Sequence, residues 1–67
     1  MIKNLEIRDA AYGAMTWHKI QCKTWPYGEI IDAYWAMDGI CVIYENDAVF
    51  RYRWHGIDEG YEIKKIK

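Results

Sequence analysis

Ile40-Cys41-Val42-Ile43-Tyr44-Glu45-Asn46-Asp47-Ala48-Val49-Phe50-Arg51-Tyr52-Arg53-Trp54 is the stretch on which the fold turns. Its first five residues are β-branched, aromatic or small and apolar, and its last six alternate. Asn46-Asp47 between them is a turn signal. Two such runs around a tight turn predict an antiparallel hairpin. Downstream, Gly56 to Gly60 is a loop, and Tyr61-Glu62-Ile63-Lys64-Lys65-Ile66 alternates again. Three consecutive antiparallel strands follow.

Upstream the pattern is less decided. Glu29 to Met37, ending in Asp38-Gly39, reads as a strand entering a second hairpin, because Asp-Gly supplies the positive φ of a type I′ turn. Ile30, Ile31, Tyr34 and Met37 also fit a helix stopped by Gly39. Ile2 to Arg8 reads as a further strand with Leu5 and Ile7 on one face. Asp9 could cap a helix from Ala10-Ala11, but Gly13 weakens it and Thr16 to Lys23 reads better as a strand. The expectation is a mainly β domain, a small antiparallel meander or partly closed barrel of five or six short strands. The alternative is α+β, with one or two short helices within 10–22 or 29–38 on a three- or four-stranded antiparallel sheet. The 67 residues make a single domain, 1–67.

Register decides the faces. Two-residue turns at Asp38-Gly39 and Asn46-Asp47 would set Trp35 opposite Val42, Ala33 opposite Tyr44, Val42 opposite Arg51 and Ile40 opposite Arg53. Tyr34, Cys41, Ile43, Phe50, Tyr52 and Trp54 then share a nearly uncharged core face. The other face mixes Trp35, Met37 and Tyr44 with Arg51, Arg53 and His55. Sheet faces turned to water are usually plainly polar, so this one is either covered by residues 1–28 or used for recognition. Trp35, Tyr44, Arg51, Arg53 and His55 are the candidate binding residues.

Composition narrows the function. Four Trp, six Tyr and one Phe exceed what one small interior needs, and Trp, Tyr and Arg are enriched at binding hot spots. A net charge of −1 excludes a strongly basic nucleic-acid binder and a strongly acidic DNA mimic. Lys64, Lys65 and Lys67 form a small basic tip suited to protecting a sheet edge. No apolar run could cross a membrane, and Met1-Ile2-Lys3-Asn4 does not begin a signal peptide. The expected setting is cytoplasmic, where Cys22 and Cys41 stay reduced.

Catalytic and metal motifs are weak. His18, Cys22, Cys41 and His55 are zinc-ligand types without the close pairing that structural zinc sites use. Cys22 and His18 lack an orienting group or oxyanion-hole signature. His55 near Asp58 and Glu59 reads as turn chemistry. No Gly-rich phosphate loop occurs. The expectation is therefore no catalysis, metal or cofactor. The leading functional reading is a small binding protein that docks on a larger protein. Small phage or mobile-element proteins that block a host enzyme or defence complex are of this kind, and homodimerisation through the mixed face is another way to cover it. Binding of single-stranded nucleic acid or of a nucleotide-like small molecule are the alternatives.

Overall fold

A computed structural model describes residues 3–67. The fold is α+β: one helix, α1 (Leu5–Gln21), precedes a four-stranded antiparallel sheet. Its strands are β1 (Ile30–Ala36), β2 (Gly39–Tyr44), β3 (Val49–Trp54) and β4 (Tyr61–Lys65), and they lie in chain order. The sheet stays open. The strands expected after residue 29 form; of those expected at 2–8 and 16–23, residues 5–8 and 16–21 belong to α1 instead, and Ile2 lies outside the described residues.

The helix has a clear physical origin. Asn4 caps it, its Oδ1 accepting from the amides of Glu6 at 2.9 Å and Ile7 at 3.1 Å. Asn4, not Asp9, is the start. Ala11, Ala14, Met15 and His18 are buried, with Ile7 and Ala10 partly buried against the same core. That set recurs at i, i+3, i+4, i+7, i+8 and i+11, one helical stripe. Its alanines are small, so the helix sits close to the sheet and the sheet supplies the bulk. Tyr44, Tyr52 and Val42 are the largest fully buried side chains. Each of those tyrosines removes roughly 150–250 Å² from water, a gross gain of ~4–6 kcal/mol at about 25 cal/mol per Å².

The first register correction is harmless. Ala36 pairs with Gly39, so the turn residues are Met37-Asp38 rather than Asp38-Gly39. Ala33 now faces Val42 and Trp35 faces Ile40, a shift of two that leaves the side chains from Asp32 onward on their faces, while a bulge between Ile30 and Asp32 turns Ile30 to the helix side, opposite Tyr44. The second is not harmless. Tyr44 and Ala48 close a three-residue loop, Glu45-Asn46-Asp47, with Tyr44 N–H donating to the Ala48 carbonyl at 2.9 Å. Asp47 takes the left-handed conformation (φ 71°) that such a loop requires, and Asn46 Oδ1 accepts from Ala48 N–H at 3.0 Å. The extra residue moves β3 by one place. Ile40 faces Tyr52, Cys41 faces Arg51 and Val42 faces Phe50.

The layers follow. Ala33, Trp35, Ile40, Val42, Tyr44, Phe50, Tyr52, Trp54, Tyr61 and Ile63 share the helix side, by register with one another. Asp32, Tyr34, Cys41, Ile43, Val49, Arg51, Arg53, Glu62 and Lys64 share the outer face. The 22–29 segment closes the top of the core. Trp25 and Tyr27 pack on it, and Glu29 and Glu45 tie the segment to the β2–β3 loop through two hydrogen bonds, at 2.6 and 3.0 Å.

The β1 edge is guarded. The alternation that turns the Tyr44 amide toward β3 turns the Ala33 amide to the free edge. Asp32 Oδ1 accepts from that amide at 2.8 Å, occupying a donor that another strand would use.

Candidate interaction surface

The five residues singled out in the sequence do not form one site. Tyr44 is fully buried beneath the helix. Trp35 keeps the helix side but is 54% exposed. Arg51 and Arg53 lie on the opposite face. The mixed aromatic and Arg face was a product of the one-residue register error, and the outer layer is the polar face that an open antiparallel sheet ordinarily has.

Arg51, Arg53 and His55 do gather, with partners. Arg51 reaches Asp38 at 3.5 Å and Glu62 at 3.7 Å, and Arg53 reaches Asp38 at 3.9 Å. His55 Nε2 lies 2.8 Å from Glu62 Oε1. The hydrogen bond from His55, aided by the charges of Arg53 and Arg51, holds the Glu62 carboxyl below its usual range despite partial desolvation. Exposed pairs of this sort contribute little to stability. They neutralise the two arginines and leave little field for an anionic ligand. Tyr34 is the one aromatic side chain among the paired residues of this face.

The residues weighed for zinc are dispersed. His18 is on the buried side of the helix, Cys22 caps its end, Cys41 is buried on the outer side of the sheet and His55 is engaged by Glu62. Among the described residues no group of three or more His, Cys, Asp or Glu is placed to hold a metal ion.

Sequence reasoning missed a different cluster. Met37 is fully exposed at the tip of the β1–β2 turn, and Ile57 is 88% exposed in the β3–β4 loop. Both tips lie at the same end of the sheet, about two strand spacings or ~10 Å apart. The Asp38 contacts with Arg51 and Arg53 confirm that the first turn lies against the end of β3. Trp35 and Trp54, on the helix side of the same end, are each about half exposed. Trp54 had been expected in the core; it lies one row beyond Tyr52 and leans on Tyr61 instead, with ring centroids 4.8 Å apart. An apolar Ile inside a Gly-Ile-Asp-Glu-Gly loop was the available signal, because such positions are ordinarily polar.

No protein-family model, no curated protein and no solved structure matches the chain. Among the described residues no helix is long and apolar enough to cross a membrane.

Proposed function

We propose that the chain is a small non-enzymatic binding protein that docks on a larger protein through the turn end of its sheet. The observation that carries this reading is the clustering of Trp35, Met37, Trp54 and Ile57, four large apolar residues exposed at one end of the molecule. Single exposed apolar residues are normal; a cluster holding two tryptophans has the composition of an interface centre. The charged side chains Asp38, Arg53, Asp58 and Glu59 supply a polar rim. A standard interface uses about 800 Å² per partner, roughly one-sixth of the 4797 Å² accessible surface. One end of so small a domain can provide that.

A cytoplasmic enzyme or defence complex of the kind that small phage and mobile-element proteins block is a partner that suits this size. Single-stranded nucleic acid is less well supported, since stacking rings and arginines need to share a site and here Tyr34 alone accompanies Arg51 and Arg53.

The test compares the native chain with a Met37→Asp/Ile57→Asp double variant in affinity capture from native extracts. Both residues are exposed, so circular dichroism and thermal stability should match. A large protein held by the native chain and released by the variant supports the reading. Retention of the same protein by both places docking elsewhere. Concentration-dependent self-association lost in the variant replaces the larger partner with a second copy of this chain.

A further inference from the structure

The interior holds a polar chain that the docking reading does not use. His18 Nδ1 lies 2.7 Å from Tyr52 Oη, which lies 2.6 Å from Tyr44 Oη. His18 is 7% exposed, Tyr52 1% and Tyr44 0%. The imidazole is boxed by aromatic rings: Phe50 at 4.8 Å, Trp25 at 5.0 Å and Tyr27 at 5.6 Å between centroids. This contact joins the last turn of α1, the 22–29 segment and the centre of the sheet.

The hydrogens can be placed by counting. Tyr44 and Tyr52 bring one each to two links, and no other partner of either hydroxyl is found among the described residues. Both links fill when Tyr44 donates to Tyr52 and Tyr52 donates to Nδ1 of a neutral His18. An imidazolium must instead donate from Nδ1. Tyr52 then has to turn its hydrogen toward Tyr44, and the Tyr44 hydrogen is left in a dry interior without an acceptor.

We propose that His18 is an acid-operated latch whose protonation releases the C-terminal half of the helix and the 22–29 segment from the sheet. The groups facing the imidazole offer no counter-charge. From the strands they are Tyr44, Tyr52 and, beyond it, Tyr61; from the 22–29 segment Tyr27 and Cys22; from the helix Lys19, whose ammonium lies 5.6 Å from the Trp25 ring centroid. None is a carboxylate. The carbonyl end of the helix favours a cation in the last turn, but burial outweighs it and lowers the His18 pKa from 6.5. The unfolded chain therefore takes the proton first, and the latch holds above pH 6.5 and weakens as pH falls below it.

The test follows the His18 imidazole by NMR and tertiary packing by near-ultraviolet circular dichroism from pH 8 to 4. A His55→Gln background leaves His18 as the sole histidine. The expected result is titration of His18 below 6.5, with tertiary signal lost in step. His18→Gln keeps a carbonyl able to accept from Tyr52 but has no proton to gain, and should retain its signal across that range. Titration of His18 at or above 6.5 with packing unchanged overturns the proposal. So does an identical acid transition in His18→Gln. If His18→Gln does not fold, the coincidence or separation of the two curves in the His55→Gln chain decides alone.

Discussion

The indole of Trp17 lies so close over Gly60 that a Cβ on Gly60 would overlap its six-membered ring. Gly60 also has φ 72°, a conformation that L side chains rarely adopt. Gly60→Ala therefore combines backbone strain with forced displacement of a packed ring, and should destabilise by about 2–4 kcal/mol. Gly56 is the internal control. It has φ 108° but open space around it, so Gly56→Ala carries backbone strain with no ring to displace and should cost about 1–2 kcal/mol. Urea denaturation of the two variants measures the difference; equal losses would show that the Trp17 contact is easily relaxed.

The helix cap gives a second expectation. Asn4 satisfies two amides of the first turn. Asn4→Ala should cost about 1 kcal/mol, whereas Asn4→Asp should be nearly neutral or better, since a carboxylate accepts the same bonds and favours the helix N-terminus. Thermal unfolding ranks the three chains.

The two buried tyrosines should respond unequally to the loss of a hydroxyl. Tyr44→Phe removes only the end of the chain and should cost about 1 kcal/mol. Tyr52→Phe removes the middle and strands both the Tyr44 hydroxyl and His18 Nδ1, each at about 1–3 kcal/mol. The expected order is Tyr52→Phe well below Tyr44→Phe in stability. Burial also pushes the Tyr44 pKa up to about 12, so ultraviolet titration of phenolate should find it among the last tyrosines to ionise.

Glu62 and His18 separate on the pH axis. His18 contributes stability that is present above 6.5 and falls away below it. Glu62, with its folded pKa lowered from 4.5 by His55, contributes stability that is complete above 4.5 and lost only as pH falls through the folded value. A carboxyl-carbon NMR titration should place the Glu62 midpoint below 4.5, and His55→Gln should move it back up. A midpoint unaffected by His55→Gln would assign the shift to the arginines.

Much of the sheet could be read in advance, and the errors have specific causes. The β3 and β4 alternation is a period-2 signal over five or six residues. The β1 parity holds from Asp32 onward because moving the turn by one place, from Asp38-Gly39 to Met37-Asp38, shifts the pairing by two. The β3 parity failed because Asn46-Asp47 is two residues of a three-residue loop, and Asp47 rather than a glycine takes the left-handed position. The helix is legible only as the α+β alternative within 10–22, with its first turns read as a strand, because Leu5-Glu6-Ile7 mimics alternation, Gly13 interrupts it, and the buried stripe is carried largely by alanines and a histidine. Those residues are weak in hydropathy though strict in spacing. With the wrong parity, Tyr44 seemed surplus and Trp54 seemed core; the structure exchanges them. Arg51, Arg53 and His55 form a polar network that no linear spacing announces, because Asp38 reaches the arginines from the β1–β2 turn and Glu62 reaches Arg51 and His55 from β4.

The three-residue loop Glu45-Asn46-Asp47 also sets how this gene can change. Loss of one codon there would leave every strand residue intact yet carry Arg51 and Arg53 inward beneath the helix, and Phe50 and Tyr52 outward into water. Substitutions along β3 can be tried by evolution one at a time; a change in the length of this loop inverts the whole strand at once. Homologues that retain the fold should therefore vary freely in the composition of the loop's exposed positions while keeping its length, or change it only in steps of two.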